Sequence, residues 1–466
     1  MLELTVQDFG PIKSGTITLR PLTLLIGPNN VGKSYLALLA YALTGTFTRP
    51  GIDVPELPRL LWRIGRRVPG ITWPEDLEAS LTELAKRTPH VRYEDFDDRT
   101  RDTLKKAIDR FVHSAASALS RELKRCFASE ISELPRRTDG GTFRLSLHQA
   151  QPPVDLRLSV AGRDIEVSLT GWDLSGQEFD FREPRGLPSE AAAAVYGSAL
   201  GRLFPFLFSS AYYFPAARSG ILQAHRLLAS ALVAQASLVG IERIEVPKLS
   251  GVVADFIGNL LRLERRRRPP PAVAAVAEFV ECEVCKGRVD LRPGEGAFEY
   301  PEIYYRYHDY EFPLHRTSSM VSELAPIILF LKYVVNKHDF LVIEEPEAHL
   351  HPDNQRILAR AMVRLIRQGV RVLITTHSDY FLEQVSNFVR LARRPEVRNE
   401  RGYGEDEYLS AQDVGVYLLR FEDDGGSVVH ELSVTEEEGI PAEEFVRIAE
   451  ELYDETAALD RVTAER

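Results

Sequence analysis

Apolar and polar positions alternate at the start of the chain and then stop alternating. Residues 2–6 and 16–19 read as two strands paired around a turn at Gly10 and Pro11, because a period of two marks a half-buried strand. Residues 22–26 form a short, mostly apolar run ending at a glycine, which predicts a buried strand. An Ala- and Leu-rich stretch over 31–43 then predicts a helix. From residue 49 the character changes. Prolines at 50, 55, 58, 69 and 74 break the pattern, helical periodicity returns over 76–87 and 99–134, and strand alternation occupies 143–148 and 154–169.

Helical patterns follow at 191–209, 221–238 and 249–264, around a short buried-type strand at 211–214. Residues 264–271 read as a charged, proline-rich linker. Strand patterns return at 288–291 and 302–307, and 322–335 is a strongly apolar helix. Beyond it come a strand at 340–343, a helix at 353–367, a strand at 370–375 and a helix at 379–388. A hairpin at 414–421 and 427–434 and a helix at 441–459 complete the pattern. Strands alternating with helices at both ends predict an α/β fold with a largely parallel sheet covered by helices.

Composition narrows the functional classes. The chain has 466 residues, with 57 basic against 68 acidic side chains and a formal net charge of −11. That argues against a coat of positive charge wrapping nucleic acid. The run Arg265, Arg266, Arg267 and Arg268, flanked by Glu264 and three prolines, reads as a solvated linker or a local contact for nucleic acid or an acidic partner. Three cysteines suit a reducing compartment. Cys282 and Cys285 form one CxxC without a second pair, so two small residues leading into a strand is the expectation. No apolar run reaches the ~18 residues of a spanning helix, and the N-terminus alternates like a strand rather than a signal peptide. The expectation is a cytoplasmic protein with no membrane partner.

Candidate chemistry begins at Gly27-Pro28-Asn29-Asn30-Val31-Gly32-Lys33-Ser34, which matches GxxxxGK[ST]. It follows a buried strand and opens a helix, the context that a phosphate loop requires. Backbone N–H groups and the helix N-terminus cradle phosphate oxygens. Lys33 would reach the β- and γ-phosphates and Ser34 would ligate Mg²⁺. The second motif, Glu344-Glu345-Pro346-Glu347, stands 310 residues after Ser34 at the end of an apolar strand. Carboxylates at the C-terminal edge of a parallel strand face the nucleotide crevice. Glu344 would hold the Mg²⁺ shell and Glu345 would polarise the attacking water. A third strand ends at Thr376-His377-Ser378, with His377 placed 32 residues after Glu345 and able to bond a γ-phosphate.

These landmarks resemble an ABC-type ATPase head, whose signature loop precedes the second acidic motif. Here Thr317-Ser318-Ser319-Met320-Val321-Ser322-Glu323 takes that place, with Ser318 or Ser319 as the signature serine and Met320 where a second glycine is usual. Simple helix capping is the alternative. Within that superfamily the run from Glu345 to Pro352, the run Thr375-Thr376-His377-Ser378, the start Phe9-Gly10-Pro11-Ile12 and the segment from Tyr213 to Ser219 look like the OLD-like ATPases (overcoming lysogenization defect). The resemblance covers residues 1–48 and about 211–459. Glu344 stands where Asp is usual. Arg218 falls at the nucleotide-sensing Q-loop position, or simply flanks a core strand. His349 and His351 fall in the dimer-interface turn of that family.

The resemblance implies a P-loop ABC-type head formed by residues 1–48 and 209–466, with residues 49–208 as an inserted helical and antiparallel-sheet lid. It implies ATP and Mg²⁺ as cofactors and a head-to-tail homodimer with two ATP molecules at the interface. No TOPRIM nuclease constellation is found after His377, so the output is expected to lie on a separate effector protein, in a prokaryotic anti-phage or toxin-type setting. Two other readings compete: a RecF- or SMC-like DNA-repair or chromosome-associated ATPase, and an ATP-gated binding module with little turnover.

Overall fold

The computed structural model describes residues 1–46, 90–136, 141–161 apart from 152, 164–180, 195, 198–204, 210–224, 249–263, 270–292, 301–441 apart from 424, 450–457 and 459. The expected helix at 76–87, most of those at 221–238 and 191–209, the first part of the terminal helix and the arginine run at 265–268 lie outside the described residues.

In chain order, β1 (Leu2–Phe9), β2 (Ile12–Leu19) and β3 (Leu22–Ile26) lead into α1 (Lys33–Gly45). Then come β4 (His90–Arg92), α2 (Asp98–Phe127), β5 (Thr142–Gln149), β6 (Val154–Ala161), β7 (Asp164–Thr170), β8 (Glu178–Asp180) and β9 (Ala211–Phe214). Helices α3 (Gly251–Leu261) and α4 (Pro271–Val280) precede β10 (Arg288–Arg292), β11 (Glu302–Tyr307) and β12 (Tyr310–Pro313). The last third comprises α5 (Ser319–Tyr333), β13 (Phe340–Glu344), α6 (Pro352–Arg367), β14 (Arg371–Thr375), α7 (Asp379–Arg390), α8 (Pro395–Glu400), β15 (Val414–Phe421) and β16 (Ser427–Leu432).

Eleven strands share one mixed sheet in the order β7-β6-β5-β1-β2-β16-β15-β3-β14-β13-β9. The segment from β15 to β9 is parallel, while β7 to β2 is an antiparallel meander and hairpin. The strands expected at 143–148 and 154–169 form, and they join the main sheet through β1, with Leu2 opposite Gln149 and Gln7 opposite Arg144.

The parallel strands are mostly apolar because both of their faces are covered. Leu25, Val342 and Leu373 pack with α1 and α2 in one core, while Leu24, Leu341, Ile343 and Ile374 pack with α3 to α7 in the other. Helix α5 is buried on every side from Val321 to Leu331, as a helix apolar all round must be. Helix α4 occupies the stretch after the expected linker. Pro271 stands at its first turn, where the missing N–H costs nothing. Cys282 and Cys285 lie in a π-helical turn that ends α4, and the chain enters β10 three residues later, as expected. Cys285 is buried, and burial pushes its thiol up to about 12, so it is inert as a nucleophile at neutral pH.

That turn is locked by a buried pair. Glu281 accepts from the Val289 amide at 2.5 Å and from Lys332 Nζ at 2.6 Å, and Lys332 also donates to the Val289 carbonyl at 2.9 Å. Burial raises the Glu281 carboxyl, opposed by Lys332. K332M would leave that carboxylate buried without its cation, and should cost about 3–5 kcal/mol in urea unfolding at neutral pH. Because the folded pKa is raised, the deficit should shrink as pH falls toward the ordinary value of 4.5. A K332M stability equal to wild type at neutral pH would contradict this.

Candidate functional site

Three adjacent parallel strands end side by side. Glu344 on β13 is level with Thr375 on β14, and Thr375 is level with Leu25 on β3. The segments that leave these strand ends carry the phosphate loop, the acidic pair and His377.

The loop from Gly27 to Ser34 needs its glycines. Gly27 has φ 130°, and a Cβ there would sit 2.2 Å from the Leu419 carbonyl oxygen. Gly32 has φ 100°, and a Cβ there would press on Pro11 and Ile12 at 2.8–2.9 Å. Asn30 also takes a left-handed conformation, φ 66°, which asparagine tolerates better than most residues. Pro28 and Asn29 form the outer arc and Val31 is fully buried beneath it. Lys33 is buried and donates to the carbonyls of Gly27 at 2.8 Å and Pro28 at 2.6 Å. Burial holds its ammonium down to about 8, opposed by Glu345 and Glu347. Ser34 is exposed on the first turn of α1.

At the acidic turn, Glu344 Oε2 accepts from the Ala216 amide at 3.3 Å. Glu345 adopts φ 42°, a left-handed conformation that costs a non-glycine residue about 1–2 kcal/mol. Its amide donates to the Thr375 carbonyl at 2.9 Å, which pins the turn to β14. Its carboxylate lies 3.7 Å from His377 Nε2. Burial and the Lys33 charge hold the His377 imidazole below its ordinary value, against the pull of Glu345 and Glu347. His377 is therefore neutral at pH 7 and offers one donor and one acceptor.

Ser318 and Ser319 are exposed, and Ser318 caps α5 by accepting from the Val321 amide at 3.4 Å. Capping and a role toward a second molecule are compatible, because the capping bond uses one lone pair of the hydroxyl. His351 caps α6, accepting from the Asp353 amide at 3.4 Å, and His349 sits in the turn before it at φ 62°.

Arg218 is placed differently from its expected nucleotide contact. It is fully buried. Nε donates to the Glu323 carbonyl at 3.1 Å and lies 3.1 Å from Glu323 Oε2. Nη1 donates to the Pro215 and Glu344 carbonyls at 3.1 and 2.6 Å, and Nη2 to the Glu345 carbonyl at 3.2 Å. It is a strut beneath the acidic turn. Ser219 strengthens it, its amide and hydroxyl both donating to Glu323 Oε1. Sequence reasoning quoted Glu347 only as part of a motif. The structure buries it, with Oε1 accepting from Thr376 Oγ1 at 2.6 Å and from the His377 amide at 2.9 Å.

These residues suit a nucleotide with Mg²⁺. Glycine at 27 lets the loop pass against the Leu419 carbonyl, which a Cβ would strike, and the hydroxyl of Ser34 and carboxylate of Glu344 are hard oxygen donors of the kind that Mg²⁺ takes. Among the described residues no group of three or more His, Cys, Asp or Glu is arranged to hold a metal by itself, and Mg²⁺ in such sites draws most of its ligands from phosphate and water.

A family model described as an AAA ATPase domain matches residues 275–382, a span that takes in α5, the acidic turn and His377. No curated protein matches the chain. Among solved structures, the chain is similar to an SMC head bound to the C-terminal winged-helix domain of ScpA, with 13% identity, TM-score 0.42, and 92% of this chain and 97% of that one covered. It is also similar to an SMC head domain from Thermotoga maritima, at 11% identity and TM-score 0.37 over 93% and 98% of the two chains. A third is an Smc head with an extended coiled coil, bound to the C-terminal domain of ScpA derived from Pyrococcus furiosus, at 12% identity and TM-score 0.40 over 97% and 100%. The matched family is that of an ATPase domain, and its span carries the acidic turn and His377.

The depressed Lys33 value has a direct consequence. Phosphate binds the ammonium form, so affinity for ATP should fall as pH rises through about 8, by up to about tenfold per unit. Above that pH, binding should take up a proton, read by calorimetry in buffers of different ionisation enthalpy. A flat affinity from about pH 7 to 9.5 would count against a buried Lys33 contact.

Proposed function

We propose that the chain binds and hydrolyses ATP with Mg²⁺ and works as an OLD-like switch protein. The observation that carries this reading is the convergence of Lys33, Glu344, Glu345 and His377 at the aligned ends of β3, β13 and β14. Phosphoryl transfer asks chiefly for positioning and charge stabilisation. The loop amides of residues 27–34 would hold the phosphates, and Lys33 would exchange the carbonyls of Gly27 and Pro28 for phosphate oxygens. Mg²⁺, held by Ser34 and Glu344, would neutralise phosphate charge when bound. Glu345 would orient the attacking water and accept its proton. Neutral His377, beside Glu345, would donate to the γ-phosphate.

Ser318 and Ser319 are exposed at the start of α5, which suits a role toward the nucleotide of a second copy. A head-to-tail homodimer with two ATP molecules follows from that role: ATP closes the dimer and hydrolysis opens it. The output would pass to a separate effector protein in the cytoplasm. A prokaryotic anti-phage or toxin-type setting rests on the resemblance to OLD-like ATPases alone. Among the described residues no helix is long and apolar enough to cross a membrane, and nucleic acid is not indicated.

The site is tested by steady-state ATPase rates. K33A and E345Q should each lower kcat by about 10²-fold or more, and wild-type rates in both would overturn the assignment. E345Q with ATP should sediment as a dimer; a monomer at all ATP concentrations would sink the two-copy arrangement.

A further inference from the structure

Glu347 has more to do than close a turn. It is 8% exposed, and one of its two oxygens has no hydrogen-bond partner. A buried carboxylate is costly unless it is fully paired, so a side chain that only stabilised the fold would be better replaced. Its paired oxygen, Oε1, takes two donors from the chain that leaves β14: Thr376 Oγ1 at 2.6 Å and the His377 amide at 2.9 Å. Thr376 Oγ1 in turn accepts from the Ser378 amide at 3.0 Å, and Ser378 caps α7 by accepting from the Phe381 amide at 3.0 Å. Three successive residues after β14 are thus referenced to one carboxylate. On its own side, the Glu347 carbonyl accepts from the Leu350 amide at 3.0 Å, inside the turn that Glu345 begins.

We propose that Glu347 is a positioning residue for the ATPase reaction: it fixes the main chain of His377 to the acidic turn, so that imidazole and Glu345 carboxylate move as one unit. The inference rests on the ATPase reading of this site. Glu347 acts through His377. Removing it should therefore lower turnover without weakening nucleotide binding, and should cost nothing once the imidazole is gone.

The test compares kcat and KM for ATP in wild type, E347L, E347Q, H377A and the double variant E347L/H377A, with hydrogen–deuterium exchange over residues 376–381. E347L should lower kcat about 10- to 100-fold, the range for lost outer-sphere partners, with KM within about twofold. E347Q should recover most of kcat, because its amide oxygen still accepts both bonds. The double variant should be no slower than H377A by more than about twofold, and E347L should speed exchange at residues 376–378. Wild-type kcat in E347L, or a full multiplicative loss in the double variant, would overturn the proposal. If E347L does not fold, T376V carries the same cycle with H377A, and an additive loss there has the same meaning. A wild-type protein without turnover would refute the ATPase reading itself, and the exchange data would then judge Glu347 alone: unchanged exchange in E347L would overturn its positioning role too.

Discussion

The guanidinium of Arg218 is the tie on which the rest of the site depends. It is fully buried, and such burial is tolerated only when its nitrogens are hydrogen-bonded, as all three are. Here the donors go to Pro215 after β9, to the carbonyls of Glu344 and Glu345 at the end of β13, and to Glu323 on α5. A lysine has one ammonium and cannot span these partners, so the fork geometry is part of the architecture. The bonds hold the acidic turn by its main chain, through the carbonyls of Glu344 and Glu345 and not through their carboxylates. They also anchor α5 within its second turn, four residues after Ser319. The exposed serines and the acidic pair thus share one fixed point.

Around that point the sheet does the aligning. Parallel pairing of β13 with β14 and of β14 with β3 sets three strand ends at one level, and the apolar alternation of each strand feeds two separate cores. Helix α1 presses on one face and α5 to α7 on the other. The left-handed backbone at Glu345 is a local cost accepted within this frame: the amide bond to Thr375 and the Arg218 bond to its carbonyl over-determine the peptide.

Much of this was legible in the order of residues. Predominantly apolar runs at 22–26, 340–343 and 370–375 are buried strands, and each ends in the residues that form the site. The phosphate loop was legible because glycine spacing, flanking strand and flanking helix are all local. Helix α4 was hidden by the prolines at 269–271, which read as a linker although Pro271 is compatible with a first helical turn. Arg218 was hidden for a different reason. Apart from Pro215, its partners lie 105 to 127 residues away, and nothing local distinguishes a strut from a ligand-facing arginine. Glu347 likewise shows its role only when β14 is laid beside β13.

The meander β5 to β7 shows what long-range pairing withholds. From sequence it belongs to a region set apart from the head, yet β5 is hydrogen-bonded along six registers to β1, and the outer edge of the whole sheet is β7. An excised head lacking this segment would present β1 as a bare edge, with Leu2, Leu4 and Val6 uncovered on one side and a row of unpaired amides beside them. Such an edge recruits other strands. Trimming this protein to a minimal core would therefore trade a folded protein for an aggregating one, and any boundary drawn for truncation has to keep the meander with the N-terminal hairpin.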